Sequence, residues 1–333
     1  MTENPPRNFA STVTIEKQEQ RPAKPQRVHR TTEDPLALVI TRLLGAFWIL
    51  DGILQFQPAS FTHTFVTTVL FPNLQGQPAI ISSLLNIGIT NFSDHILVAN
   101  LFAGVVQLSV GSVLLLARKG SIKRAALYIS VVWSAGIWVV GEGLGNVFTG
   151  AATFYTGAPG SVLLYLILAV FLLYPRKLKL WKLPIAAGAL FLFGALLQVL
   201  PTFWSSSGIQ SVFQTTASDP IAPIASPSMS LVAAASSAPV LTNLTLVALL
   251  VAIGGLLIFK PGRTVALGAA LFLLLVWWLC QDLGQIQTFP GGTATDPNSA
   301  PILILFLVPL FLGFRAIRPK YSSAAYGQQV TGV

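Results

Sequence analysis

All twenty lysines and arginines of this chain gather in five short stretches. These are the segment up to Arg42, then residues 118–124, 176–182, 260–263 and 315–320. The stretches between them carry none, and each is long enough to cross a bilayer twice. Loops rich in Lys and Arg stay on the cytoplasmic side of a membrane. The spacing therefore predicts an all-α polytopic membrane protein of eight transmembrane helices with both termini cytoplasmic.

Composition agrees. The 333 residues are 53% hydrophobic and 9% charged, with mean hydropathy +0.70. A soluble globular chain carries about 25% charged residues. The net charge of +9 is explained by orientation and by attraction to anionic headgroups. Without a basic groove or a folded soluble domain, nucleic acid is not an expected partner. The expected surroundings are the lipid bilayer of a bacterial cytoplasmic (inner) membrane and a membrane-protein partner. Cys280 is the lone cysteine, and the three histidines lie far apart, so neither a disulfide nor a metal site is expected.

Residues 1–34 are polar and contain proline, and they read as a disordered cytoplasmic tail, with a second tail at 321–333. The first apolar run, from Leu36, reads as an uncleaved signal-anchor. The spans are expected at 36–57, 95–117, 125–141, 161–174, 183–200, 240–259, 264–281 and 302–314.

The chain repeats itself. Residues 45–58 read GAFWILDGILQFQP and residues 188–201 read GALFLFGALLQVLP. The same offset of 143 carries Asn100 onto Asn243 and Gly111 onto Gly254. At offset 139 Trp138 maps to Trp277, and at 138 Ser161 maps to Ser299. Residues 35–178 and 179–320 thus read as two four-helix repeats. An even number of spans inserts both copies the same way up, so the pseudo-twofold axis runs along the membrane normal. Outer loop 58–94 is expected to form short interfacial helices. Loop 202–239, rich in Ser, Ala and Pro, is expected to be looser.

Polar residues inside spans are the first place to seek function. Asp51 lies about 22 Å along the first span, and Glu142 and Asp282 lie about 26–27 Å along theirs. Asn100 and Asn243 enter from outside to a similar depth, with Gln55, Gln198 and Gln281. Two clusters are expected. The first holds Asp51, Gln55, Asn100, Glu142 and Trp138, and the second Gln198, Asn243, Gln281, Asp282, Gln285 and Trp277. The amides also read as interhelical glue, and Glu142 and Asp282 as solvated helix ends. Gly194 stands at the place of Asp51 in the second copy, so the fold does not require an acid there. Asp296-Pro-Asn-Ser reads as a turn and cap before the last span.

The run Arg42-Leu-Leu-Gly-Ala-Phe-Trp-Ile-Leu-Asp-Gly resembles the opening helix of DoxX-like bacterial membrane proteins, small four-helix modules. That resemblance implies quinone-linked redox chemistry with a quinone as cofactor. This chain departs from the pattern in carrying two modules and no cysteine pair. The residues alone point to a binding or membrane-subunit role with an outward-facing polar pocket. A small-solute or cation transporter is the further alternative.

Overall fold

The computed structural model describes residues 1–2, 34–117 and 120–313. Residues 3–33, the cations Arg118 and Lys119, the cation stretch 315–320 and the tail 321–333 lie outside the described residues. The described residues from Asp34 on form one compact unit and are helical with no strand.

The first long helix, α1, spans Pro35–Leu54. The Asp34 side chain accepts from the Leu36 N–H, and proline holds the first position, the expected chemistry of a helix start. After short turns come α2 (Ala79–Asp94), α3 (Ile96–Leu116) and α4 (Gly120–Val140). Then follow α5 (Ser161–Leu173), α6 (Leu183–Gln198), α7 (Ser206–Ala217) and α8 (Ala222–Ser237). The last are α9 (Pro239–Phe259), α10 (Arg263–Leu279) and α11 (Ser299–Phe311), the last with a 3-10 turn inside it.

Among the described residues, five helices are long and apolar enough to cross a membrane: α1, α3, α4, α9, and α6 with its leading turn from Leu180. A sixth is reached if α10 is joined to the turn Asp282–Thr288, bent from it by 58°. At 1.5 Å per residue, about 20 residues match a hydrocarbon core of ~30 Å. Their outer faces are apolar: Val98, Val132 and Leu241 are 69%, 73% and 67% exposed. Such faces are compatible with the apolar interior of a bilayer.

The short helices α5 and α11 are apolar but fall below this length. They are also the most enclosed. Leu164, Tyr165, Leu168, Ile302, Leu303 and Phe306 are all buried, and the two helices pack against each other at the centre. The rest of the chain surrounds them, so burial in protein accounts for helices shorter than a membrane span.

Two antiparallel helix pairs flank this centre, α1 with α3 and α6 with α9. Each crosses at glycines. A Cβ on Gly45 would lie 2.9 Å from the Gly111 carbonyl oxygen, and one on Gly188 would lie 2.8 Å from that of Gly254. Bare backbone at the crossing lets the helices touch closely.

The last helix begins at Ser299, a few residues ahead of the expected span and at the expected cap, where Asn298 accepts from the Ser299 N–H. One expectation is corrected. The loop 202–239 is not loose: it forms α7 and α8, packed on each other. Ser205 accepts from the Gly208 N–H to start α7, and Ile209, Val212, Phe213 and Ala235 are buried. Small residues favour close helix packing as readily as they favour loops.

Candidate functional site

Just past α4, Glu142 leads into four left-handed residues, Gly143 to Asn146. Just past α10, Gln281 leads into Asp282 to Gln285 in the same conformation. Left-handed backbone costs a non-glycine residue roughly 1–2 kcal/mol, and such strain gathers where a site must be shaped. The glycines at the third place of each turn sit directly on backbone. A Cβ on Gly145 would come within 2.0 Å of the Pro159 oxygen, and one on Gly284 within 2.6 Å of the Pro297 carbonyl carbon.

The same bonds hold both turns. The Trp138 indole N–H donates to the Pro159 oxygen and that of Trp277 to the Pro297 oxygen, each at 2.7 Å. Ser161 Oγ and the Val162 N–H donate to Glu142 Oε1 at 2.5 and 3.2 Å. Ser299 Oγ and the Ala300 N–H meet the Gln281 amide at 3.0 and 3.1 Å. A carboxylate in one half thus stands where an amide stands in the other.

The segments that follow these turns cross over. Thr153 Oγ1 donates to Gln198, the Tyr155 hydroxyl donates to the Leu246 oxygen at 2.8 Å, and Phe154 packs on Phe191 at 4.9 Å. In return, Gln57 Nε2 donates to the Ala294 oxygen at 2.7 Å, and Asn298 presses against Gly157.

Between the crossed segments lies a cavity of about 920 Å³. Its wall includes Glu142, Ser161, Gln281, Gln285, Asp296 and Asn298, with Asn73 and Asn146 on one side and Thr153 and Thr156 on another. Glu142 Oε2 is buried there without a hydrogen-bond partner. It rests against Gly160, where a Cβ would lie 2.2 Å away. Burial and the neighbouring Asp296 carboxylate push the Glu142 carboxyl up to about 8. Burial also raises Asp296, against the bond it accepts from the Asn298 N–H at 2.6 Å. Both acids lie in connections outside the long helices.

The expected clusters are redrawn. Gln55 and Asn100 bond to each other, with Asn100 Nδ2 also donating to the Gln55 oxygen at 2.9 Å. Gln198 and Asn243 do the same, at 2.9 and 3.2 Å. These four are buried and outside the cavity wall. Glu142 and Gln281 share the cavity. Asp51 is 1% exposed and lies behind the wall rather than in it. Asp282 lines a second cavity of about 530 Å³ with Asp219, and Gln287 donates to both carboxylates at 3.3 and 2.9 Å. No group of three or more His, Cys, Asp or Glu side chains among the described residues is arranged to hold a metal ion.

Sequence reasoning missed Asp296, which reads as a turn residue, and it missed the crossing of the segments. The available signal was the glycine-dense run after each tryptophan, which shows that backbone is packed there without showing on what.

Taken together, the fold and the cavity define an all-helical protein with membrane-length apolar helices and a polar chamber at one end of them. No family model, curated protein or solved structure matches the chain.

Proposed function

We propose that the chain is an integral membrane protein of eight spans, built as two four-helix repeats inserted the same way up. In this reading it binds a small polar solute in the cavity between the crossed segments. Support for the repeat comes from bonds recurring at fixed offsets: Gln55–Asn100 with Gln198–Asn243, and Trp138–Pro159 with Trp277–Pro297. Support for the orientation comes from the connections that build the cavity, which carry no Lys or Arg. On the positive-inside rule they face away from the cytoplasm. The short helices α5 and α11 count as spans because protein encloses them.

One observation carries the binding role: Glu142 Oε2, a buried carboxylate oxygen without a partner in the wall of a polar cavity. A polar group on the solute satisfies it, accepting from the protonated carboxyl below about pH 8 and donating to the carboxylate above it. The lining of hydroxyls, amides and carboxylates does not fit a quinone, whose ring and tail require an apolar slot. The DoxX-like resemblance rests on residues 42–52 alone, and no redox step is drawn from it.

The test is a thermal-unfolding screen of the detergent-solubilised full chain against amines, sugars and amino acids. A true ligand at a hundred times its Kd stabilises by about 2.7 kcal/mol. The expected result is saturable stabilisation of the wild type that Glu142→Gln weakens and that the cavity-filling Thr156→Trp abolishes. Stabilisation indifferent to both substitutions, or by no polar solute at all, sinks the binding reading.

A further inference from the structure

The two halves provide an internal control. Contacts needed to hold the scaffold recur in both, as the Gln–Asn pairs and Trp–Pro bonds do. A group present in only one half serves something else. Behind the cavity, the buried polar residues of the first half include Asp51, Gln107, Ser130, Ser134 and Tyr165, none more than 5% exposed. The matched residues of the second half, at the same offsets, are Gly194, Leu250, Ala269, Leu273 and Leu303. All five positions are apolar there, and the four besides Gly194 are at most 2% exposed. The scaffold therefore packs well without any of these polar groups.

The five lie at neighbouring levels of the first half, and Asp51, Ser130 and Tyr165 are linked directly or through Trp48. The Trp48 indole N–H donates to Ser130 Oγ at 3.0 Å, and its ring packs tilted against that of Tyr165, 4.5 Å between centroids. Ser134 lies one turn further out on α4, and Asp51 nearly one turn further out than Trp48 on α1, so both reach the same level. A Cβ on Gly52 would lie 2.9 Å from the Leu108 N, which brings Gln107 to that level on α3. The Tyr165 hydroxyl stands beside the Asp51 carboxyl. Gln107 Oε1 and Ser134 Oγ lack a hydrogen-bond partner among the described residues, while the Tyr165 hydroxyl has only the Asp51 carboxyl to face. Each such group costs about 1–3 kcal/mol when left unpaired in a protein interior. An ionisable residue at this depth points to function.

The file has an outlet. Tyr165 lies one turn below Ser161 on the same face of α5, and Ser161 donates to Glu142 in the cavity wall. We propose that Asp51 is a proton-binding site inside the first half, loaded from the outer cavity by way of Tyr165. The proton arrives at the Tyr165 oxygen from the cavity side as the hydroxyl proton passes to the Asp51 carboxylate. Tyr165 ends neutral and Asp51 becomes a carboxylic acid. The titratable groups facing Asp51 are Tyr165 from α5, Glu142 from the turn after α4, and Asp296 from the segment before α11. From α3 and α4 come the neutral Gln107, Ser130 and Ser134. The second half, with leucine at the place of tyrosine, holds no such site.

The proposal rests on the cavity opening outward, but not on its taking a solute, and its test uses no solute. The full chain in liposomes is titrated by infrared spectroscopy in water and in heavy water. The expected signal is the C=O stretch of a buried carboxylic acid, shifted by deuterium and absent in Asp51→Asn. Tyr165→Phe keeps the band but slows its exchange at least tenfold, whereas Leu303→Tyr in the second half leaves it unchanged. An unaltered band in Asp51→Asn overturns the proposal, as does unaltered exchange in Tyr165→Phe. If Asp51→Asn does not fold, the Tyr165→Phe exchange rate decides alone. A solute screen that fails while the band persists removes the pocket reading and leaves the proton site standing.

Discussion

Glu142 and Gln281 hold matched places, and their difference has a measurable consequence. A carboxyl raised from 4.5 to about 8 in the folded state binds a proton there that the unfolded chain has already released. Its stabilising contribution is whole below about pH 4.5 and is lost as pH climbs toward 8. Thermal unfolding in detergent across this window should show the wild type losing stability more steeply than Glu142→Gln. Parallel curves would place the Glu142 carboxyl in water instead. The amide pairs allow a second comparison. Asn100→Ala and Asn243→Ala should each cost roughly 0.6–2 kcal/mol, and by similar amounts, if the two pairs serve packing alone. A tenfold disparity in folding equilibrium between them would show that one pair does more. At this scale the sequence was a partial guide. Asp51, Glu142 and the amides stood out because polar groups are costly in apolar spans. Their grouping did not, because contacts between segments far apart in the chain leave no trace in local periodicity. Asp296 was hidden for the same reason: its neighbour Glu142 lies 154 residues away, from 296 less 142.

Helices were the most legible level. The first, second, fifth and sixth expected spans end within a few residues of α1, α3, α6 and α9, since long apolar runs bounded by cations admit little else. The short helices were harder, because α5 and α11 are set by burial in protein and not by bilayer thickness. The helical pair α7 and α8 was misread as loose because its serines and alanines lack an apolar stripe, although small residues pack by close approach. The glycine crossings give the element-level prediction. Gly45→Leu and Gly188→Leu each force a side chain onto backbone at 2.9 Å or less. Both should lower stability by about 1–3 kcal/mol, read as a fall in unfolding temperature. Equal tolerance of both replacements would mean that the helix pairs do not meet at these residues.

Across the whole molecule, sidedness is the claim that joins sequence to cavity. Cysteines placed singly at Phe148 and at Lys179, with Cys280 buried, should react differently with a membrane-impermeant maleimide added to intact cells. Phe148 lies in the connection that builds the cavity and should label, whereas Lys179 lies in a cation stretch and should label only after lysis. The reverse pattern would turn the protein over and close the cavity to the outside.

The exchanged segments bear on how such a chain came to be. The segment at 153–155 packs on α6 and α9, and the segment at 294–298 packs on Gln57 and Gly157; if the proposed repeat holds, neither four-helix unit owns a complete chamber. A solitary ancestral unit would have needed a twin to be sealed, and fusion into one polypeptide then released the two from having to be identical. Such a release would let one twin carry an interior acid that the other lacks. Severing the connection at residues 178 and 179 and producing both fragments in one cell would recreate that ancestral partnership.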